Sequence, residues 1–241
     1  MAAPKDGVSR GATPAESKSS GDRPGVGHHI PSPPAARSGG RLSPSLIAGL
    51  REIPSISSEV ADLLNQWGWA TVGRDSSIAH RVGPKPMVGQ AVTLSYLPER
   101  ELAAAGPIGH LAHHTAAGVG HPGDVLVIST HGVLDASVLG GQGAMALAAR
   151  GLVGAVVDGA MRDLDEVRAA GISAWARSVS PQSGVGRLEA VGIDGPVLCA
   201  GVQVHPGDLV VADESGVVFI PEELVDRVAA QLLGPLAPRS G

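Results

Sequence analysis

The chain has 241 residues, 43% of them apolar, which suits one ordinary domain with a tail and supplies enough Ala, Val, Leu and Ile for a core. One Tyr (Tyr96), one Phe (Phe219) and three Trp leave little to stack on nucleobases. The net charge is −5, and beyond residue 41 it reaches −8, with 12 basic against 20 acidic residues, so the body is the wrong sign for a phosphate-tracking surface.

Residues 1–42 are rich in Gly, Pro, Ser and Ala and read as a disordered tail, because they cannot bury enough surface to offset ordering entropy. A folded domain is expected over 43–235. Ser43 and Pro44 form a helix start, capping hydroxyl then N1 proline, before LIAGLREI. In SSEVADLLNQWG, Val60, Leu63, Leu64 and Trp67 share a helical stripe, a Ser is placed to cap the start, and Gly68 suits the C′ position. β-Branched or apolar runs follow, bounded by Gly and Pro: MVGQAVTLSYL, DVLVIS, LVGAVV, ISAWARSV, GPVLCAGVQV, DLVVAD and GVVFI. Helical patterns interrupt them at 108–117, 141–150, 163–170 and 221–233. The class is α/β.

His-Pro-Gly-Asp occurs at 121–124 and again at 205–208, each time before a strand, and reads as a reused type II turn rather than a tandem repeat. Cys199, in PVLCAGV, reads as a small buried hydrophobe. No apolar run approaches the roughly 18 residues of a membrane span and no secretory signal opens the chain, so a cytoplasmic location is expected.

The chemistry concentrates in LGGQGAMALAARGLVGAVVDGAMRDLDEVRAAG. Gly140, Gly141 and Gly143 precede an Ala-rich helix whose first N–H groups an anion could approach; the same glycines also make a loose helix-entry turn. Asp158-Gly159 is read as a turn that delivers Arg162 and Asp163 just past a strand end, where ligands gather in α/β sheets. Arginine offers a fork for a carboxylate and aspartate a hard oxygen for a divalent cation, which together match a 2-oxo acid beside a metal. Taken alone, the pair also reads as a helix N-cap and a solvated charge. Of the three lysines, Lys5 and Lys18 lie in the tail and Lys85 between prolines, leaving little for a Schiff-base aldolase. A lyase built on this chain should therefore use a metal, with an arginine neutralising the neighbouring carboxylate.

Over 56–221, several ordered blocks resemble the RraA-like family, which includes 4-hydroxy-4-methyl-2-oxoglutarate aldolases, oxaloacetate decarboxylases and the regulator of ribonuclease E activity. They are SSEVADLL, MVGQAVTL, PGDVLVI, the stretch 140–163 with DGAMRD, and GVQVHPGDLVVADESGVVFIP. The resemblance implies a three-layer β/β/α swivelling fold, a homotrimer with sites between subunits, and a metal-dependent lyase that makes pyruvate from a small 2-oxo acid. Carried over, the substrate loop falls on Gly140, Gly141, Gln142 and Gly143, the carboxylate-binding catalytic arginine on Arg162, and the Mg²⁺ or Mn²⁺ aspartate on Asp163. Family loops often read Trp-Gly-(Glu/Asp/Gly)-Leu-Leu; this one lacks both leucines and an acid. Asp213, Glu214, Glu222 and Glu223 are candidates for an acid donated by a neighbouring subunit.

Three other readings compete. A non-catalytic regulator would use the acidic surface to bind a basic partner such as a ribonuclease. The spacing of His110 and His114, with His113 and His121 nearby, is that of a histidine metal site, but HLAHH lacks the glutamate of HExxH and reads as a polar helix face. A menaquinone-precursor methyltransferase, an older label for the family, finds no adenosyl-cofactor fingerprint, since GVGHHIPS lies in the tail.

Overall fold

The computed structural model describes residues 40–69, 77–100 and 112–234. The tail reading over 1–39, His110 and the start of the 108–117 helix lie outside these residues. Helices α1 (Pro44–Arg51) and α2 (Ile56–Gln66) lead into strands β1 (Ala79–Val82) and β2 (Met87–Pro98). Then come α3 (His113–Val119), β3 (Val125–Ser129), β4 (Ser137–Leu139), α4 (Gly141–Ala149), β5 (Gly154–Met161), α5 (Leu164–Ala169) and β6 (Ser173–Val179). The chain continues with β7 (Leu188–Ile193), β8 (Val197–Cys199), β9 (Val202–Val204), β10 (Leu209–Ala212), β11 (Val217–Ile220), a 3₁₀ turn (Glu222–Leu224) and α6 (Val225–Leu233).

β2, β3, β5 and β6 pair in parallel, with β4 added to β5, while β1, β7, β10 and β11 join antiparallel. The fold is α/β, and its layers follow from the strand period of two. In β3, Leu126 and Ile128 face a core shared with Ala116, Leu147 and Val167 of α3, α4 and α5. The alternate residues Val125 and Val127 face a second core, shared with Val202 of β9, Val210 and Phe219. β10 repeats the pattern, turning Val210 and Ala212 into that second core and Leu209 and Val211 outward under α1, α2 and α6. Strands covered on both faces read as near-continuous apolar runs, which is how they stand in the sequence.

Local expectations held where local chemistry decides. Ser43 Oγ accepts from the Leu46 N–H at 3.2 Å with Pro44 opening α1. Both His-Pro-Gly-Asp turns have the same build, with Gly123 and Gly207 at φ of 91° and 94° and each Asp accepting from the N–H of its own His, at 2.9 and 2.8 Å. Cys199 is buried, and burial first, then the Asp158 carboxylate, push its thiol well above its ordinary pKa.

Four expectations need correction. The ordered region begins before residue 43, because Leu42 is in the core and its N–H donates to Gln90 Oε1 at 3.1 Å. No serine side chain caps α2: Ser55 stands at its N-cap with φ of 50° and makes no capping bond, and Asp213 instead accepts from the Ser57 N–H at 3.0 Å. GPVLCAGVQV is a tight hairpin, β8 and β9, not one strand. Asp158-Gly159 is not a turn but the interior of β5, since Asp158 is held by Arg177 at 2.6 Å and by the Ala200 N–H at 2.8 Å.

The sheet leaves no room at Gly154, where a Cβ would lie 2.2 Å from the Ser173 carbonyl oxygen and 2.4 Å from Met87 Sδ. Gly154→Ala is expected to cost about 3 kcal/mol by overpacking, or roughly 6–12 °C in Tm. Gly195, with nothing within 4 Å of its added Cβ, serves as the control. Equal melting temperatures for the two alanine variants would refute the packing account.

Candidate active site

β4 and β5 run parallel with Leu139 opposite Met161, so the residues that follow, Gly140 and Arg162, leave the sheet side by side at its carboxyl edge. The Arg162 N–H donates to the Leu139 carbonyl at 2.9 Å and locks the two exits together. From one exit springs α4; from the other, after Asp163, springs α5.

Asp163 occupies the N-cap position of α5 but makes no capping bond, and its backbone is left-handed, with φ of 53° and ψ of 45°. That conformation costs an ordinary L-residue about 1–2 kcal/mol, and aspartate is among the few residues that tolerate it. It turns the carboxylate away from its own helix and toward the glycine loop. Oδ2 accepts from the Gly141 N–H at 3.3 Å and lies 3.3 Å from Arg162 Nε. The helix-cap alternative is thus not the arrangement found, and Arg162 is tied to its neighbour rather than simply solvated.

The segment is glycine-rich for steric reasons, with Gly140 at the N-cap of α4 and Gly141, Gln142 and Gly143 in its first turn rather than ahead of it. A Cβ on Gly140 would stand 2.6 Å from Asp163 Oδ2 and 3.2 Å from Arg162 Nε; one on Gly143 would stand 2.9 Å from Leu139 Cδ1 and 3.2 Å from the His113 ring. At Gly141 the intruder would be Glu166, whose Oε2 would lie 1.8 Å away. The first intrahelical bond of α4 is Ala144 N–H to Gly140 O at 2.9 Å, so the N–H groups of Gln142 and Gly143 have no helical acceptor and stand at the positive end of the helix. The structure thereby brings together all six residues singled out in the sequence: Gly140, Gly141, Gln142, Gly143, Arg162 and Asp163.

Glu166 and His113 were not singled out as neighbours of this loop. His113 is buried beneath Gly143, while His114 is exposed and its ring centre is 4.6 Å from that of His113, so of these two histidines the polar-face reading holds for His114 and not for His113. The acids considered for donation to a neighbour are partly committed within the chain: Asp213 also accepts from Ser57 Oγ, and Glu214 pairs with Lys85.

Among the described residues no group of three or more His, Cys, Asp and Glu could hold a metal ion. The carboxylates beside these glycines are instead two, Asp163 in space that only a glycine at 140 leaves open and Glu166 against Gly141. This fits Mg²⁺ or Mn²⁺, hard cations that take one or two carboxylates and keep several waters, better than a closed zinc site. Among the described residues no helix is long and apolar enough to cross a membrane.

The family model RraA-like, Aldolase/RraA, matches residues 57–219. The 4-hydroxy-4-methyl-2-oxoglutarate aldolase of Thermus thermophilus is 36% identical over 102 residues, 42% of this chain and 60% of that protein. Protein DlpA of Legionella pneumophila is 28% identical over 177 residues, 71% of this chain but 27% of its own length. The chain therefore spans less than two thirds of either relative. RraAS2 of Streptomyces coelicolor, described as an unusual member of the RNase ES inhibitor RraA protein family, superposes with a TM-score of 0.69 at 28% identity over 80% of this chain and 92% of that one. With more than half its length matched by the family model and a fold shared with RraAS2, the chain belongs to the RraA-like family.

Proposed function

We propose that this chain is a divalent-metal-dependent carbon–carbon lyase that releases pyruvate from a small 2-oxo acid. Its substrates would be 4-hydroxy-4-methyl-2-oxoglutarate or the related 4-carboxy-4-hydroxy-2-oxoadipate, with oxaloacetate decarboxylation as a second activity. The observation that carries this reading is the convergence of Arg162, Asp163 and the bare amides of α4 at one point on the sheet edge. The aldolase of Thermus thermophilus, similar over the central part of the chain, points the same way.

Asp163 would hold Mg²⁺ or Mn²⁺, which when bound supplies Lewis acidity at the 2-oxo group. Arg162 keeps its two terminal nitrogens for the substrate's C1 carboxylate while Nε stays with Asp163. In retro-aldol cleavage the 4-hydroxyl loses its proton, C3–C4 breaks, a carbonyl forms at C4, and the electron pair passes into the pyruvyl half, which then takes a proton at C3. Arg162 and the Gln142 and Gly143 N–H groups offset the negative charge of that half in place, without reorganisation. Oxaloacetate follows the same course with carbon dioxide as the leaving half. We further propose the homotrimeric assembly that the resemblance implies.

The test is pyruvate release by EDTA-stripped protein from oxaloacetate and from 4-hydroxy-4-methyl-2-oxoglutarate, with and without Mg²⁺ or Mn²⁺, after subtraction of the metal-only rate. Metal-restored release above that background is expected. The likeness to RraAS2, named for a ribonuclease inhibitor family, favours a second reading as a non-catalytic regulator of a ribonuclease. No release from either substrate, together with binding to a ribonuclease, would establish that reading instead.

A further inference from the structure

Between α1 and the first His-Pro-Gly-Asp turn lies a cavity of about 730 Å³, inside the range of small-molecule sites, about 300–1,000 Å³. Gly123 and Val153 on its wall precede β3 and β5, so it opens at the amino ends of the parallel strands. Arg162 and Asp163 stand at the opposite, carboxyl edge. Leu42, Ile47, Ala48 and Val153 supply apolar wall, and Arg51 and Gln90 supply polar groups.

Both polar side chains hold donors in want of an acceptor. Arg51 Nη2 donates to the Val88 carbonyl at 2.9 Å, but Nε is buried without an acceptor, and the guanidinium makes no ion pair among the described residues. Gln90 is 5% exposed, and its Oε1 accepts from the Leu42 N–H at 3.1 Å. Its Nε2 reaches only the Gly40 and Gly207 carbonyls, at 3.4 and 3.5 Å, beyond the usual length of such a bond. Buried donors in folded proteins are normally satisfied, so this wall calls for an acceptor from a ligand. The charges set its sign. Arg41 at the rim is tied to the buried Asp124 and, at 3.0 Å, to the Pro122 carbonyl. Arg51 is then the single uncommitted arginine on the wall, with Glu52 exposed beside it. One cation next to an acid admits a monoanion and disfavours a dianion such as phosphate. Residues 1–39, which lead into this wall, carry five basic against three acidic residues, the wrong sign for Arg51.

We infer that the cavity binds a small monocarboxylate with a compact apolar body. Arg51 holds the carboxylate, Gln90 Nε2 is a second donor, and Leu42, Ile47 and Val153 cover the apolar part. The site is separate from the proposed lyase centre and does not depend on it.

The test follows 4-(trifluoromethyl)phenylacetate on the full chain by fluorine NMR, beside the corresponding amide, which keeps the shape and lacks the charge. The acid should bind wild type, and the amide about tenfold or more weakly. Arg51→Gln should weaken the acid by about 10- to 100-fold, the worth of a hydrogen bond to a charged group. Ala48→Phe, at an exposed position of α1, fills the cavity and should abolish binding with the melting temperature unchanged. Arg162→Ala should bind as wild type does. Equal binding of acid and amide, wild-type affinity in Arg51→Gln, or no binding of the acid to wild type would each overturn the inference. So would loss of binding in Arg162→Ala, which would assign the acid to the carboxyl edge.

Discussion

Asp163→Asn is expected to lower kcat/KM for pyruvate release by about a thousandfold or more, a loss of roughly 4 kcal/mol in transition-state stabilisation, with little change in melting temperature. The choice of asparagine matters because position 163 is left-handed, with φ of 53°. Asparagine tolerates that conformation nearly as well as aspartate, whereas alanine there adds backbone strain on the order of 1–2 kcal/mol. Asparagine's amide oxygen can also keep the Gly141 N–H bond that Asp163 Oδ2 now accepts at 3.3 Å. What disappears is the negative charge, and with it the ion-pair character of the Arg162 Nε contact and the anchor proposed for the cation. If Asp163→Ala unfolds near wild type yet Asp163→Asn keeps full activity, the carboxylate is not a metal anchor. The same pair of variants separates a structural role from a chemical one, since strain would harm only the alanine form's stability.

The elements were legible because their boundaries are set by local chemistry: Ser43-Pro44 opens a helix, and Pro-Gly with positive φ at Gly123 and Gly207 turns the chain into β3 and β10. The readings that failed depend on partners distant in sequence. Asp158-Gly159 has turn chemistry, but Arg177 and the Ala200 N–H hold Asp158 in β5. The cap of α2 comes from Asp213, 156 residues from Ser57. The site divides in the same way. Arg162-Asp163 could be placed at a strand end from its neighbours, and the glycines that open α4 could be paired with it through the resemblance. Glu166 could not, because its relation to Gly141 arises only when β4 and β5 align in register. A signal did exist in the spacing of Asp163 and Glu166 on one helix side opposite a run of glycines.

Arg162→Ala and Arg162→Lys, compared side by side, test whether the arginine acts by charge or by shape. Nε faces Asp163 Oδ2 at 3.3 Å, and the side chain is 40% exposed, so its terminal nitrogens remain reachable by a substrate carboxylate. Alanine removes both functions and is expected to lower kcat/KM by about 10³, through kcat and KM together, since the carboxylate is gripped in the ground state and the transition state. Lysine restores one positive charge on a flexible stem but neither the planar fork nor the Nε contact, so it should recover no more than about a tenfold gain over alanine. The Arg162 N–H bond to Leu139 is backbone and survives both substitutions, which keeps the loop in register and confines the effect to the side chain. A lysine variant as fast as wild type would reduce Arg162 to a point charge. An alanine variant as fast as wild type would remove the site from this corner of the sheet altogether.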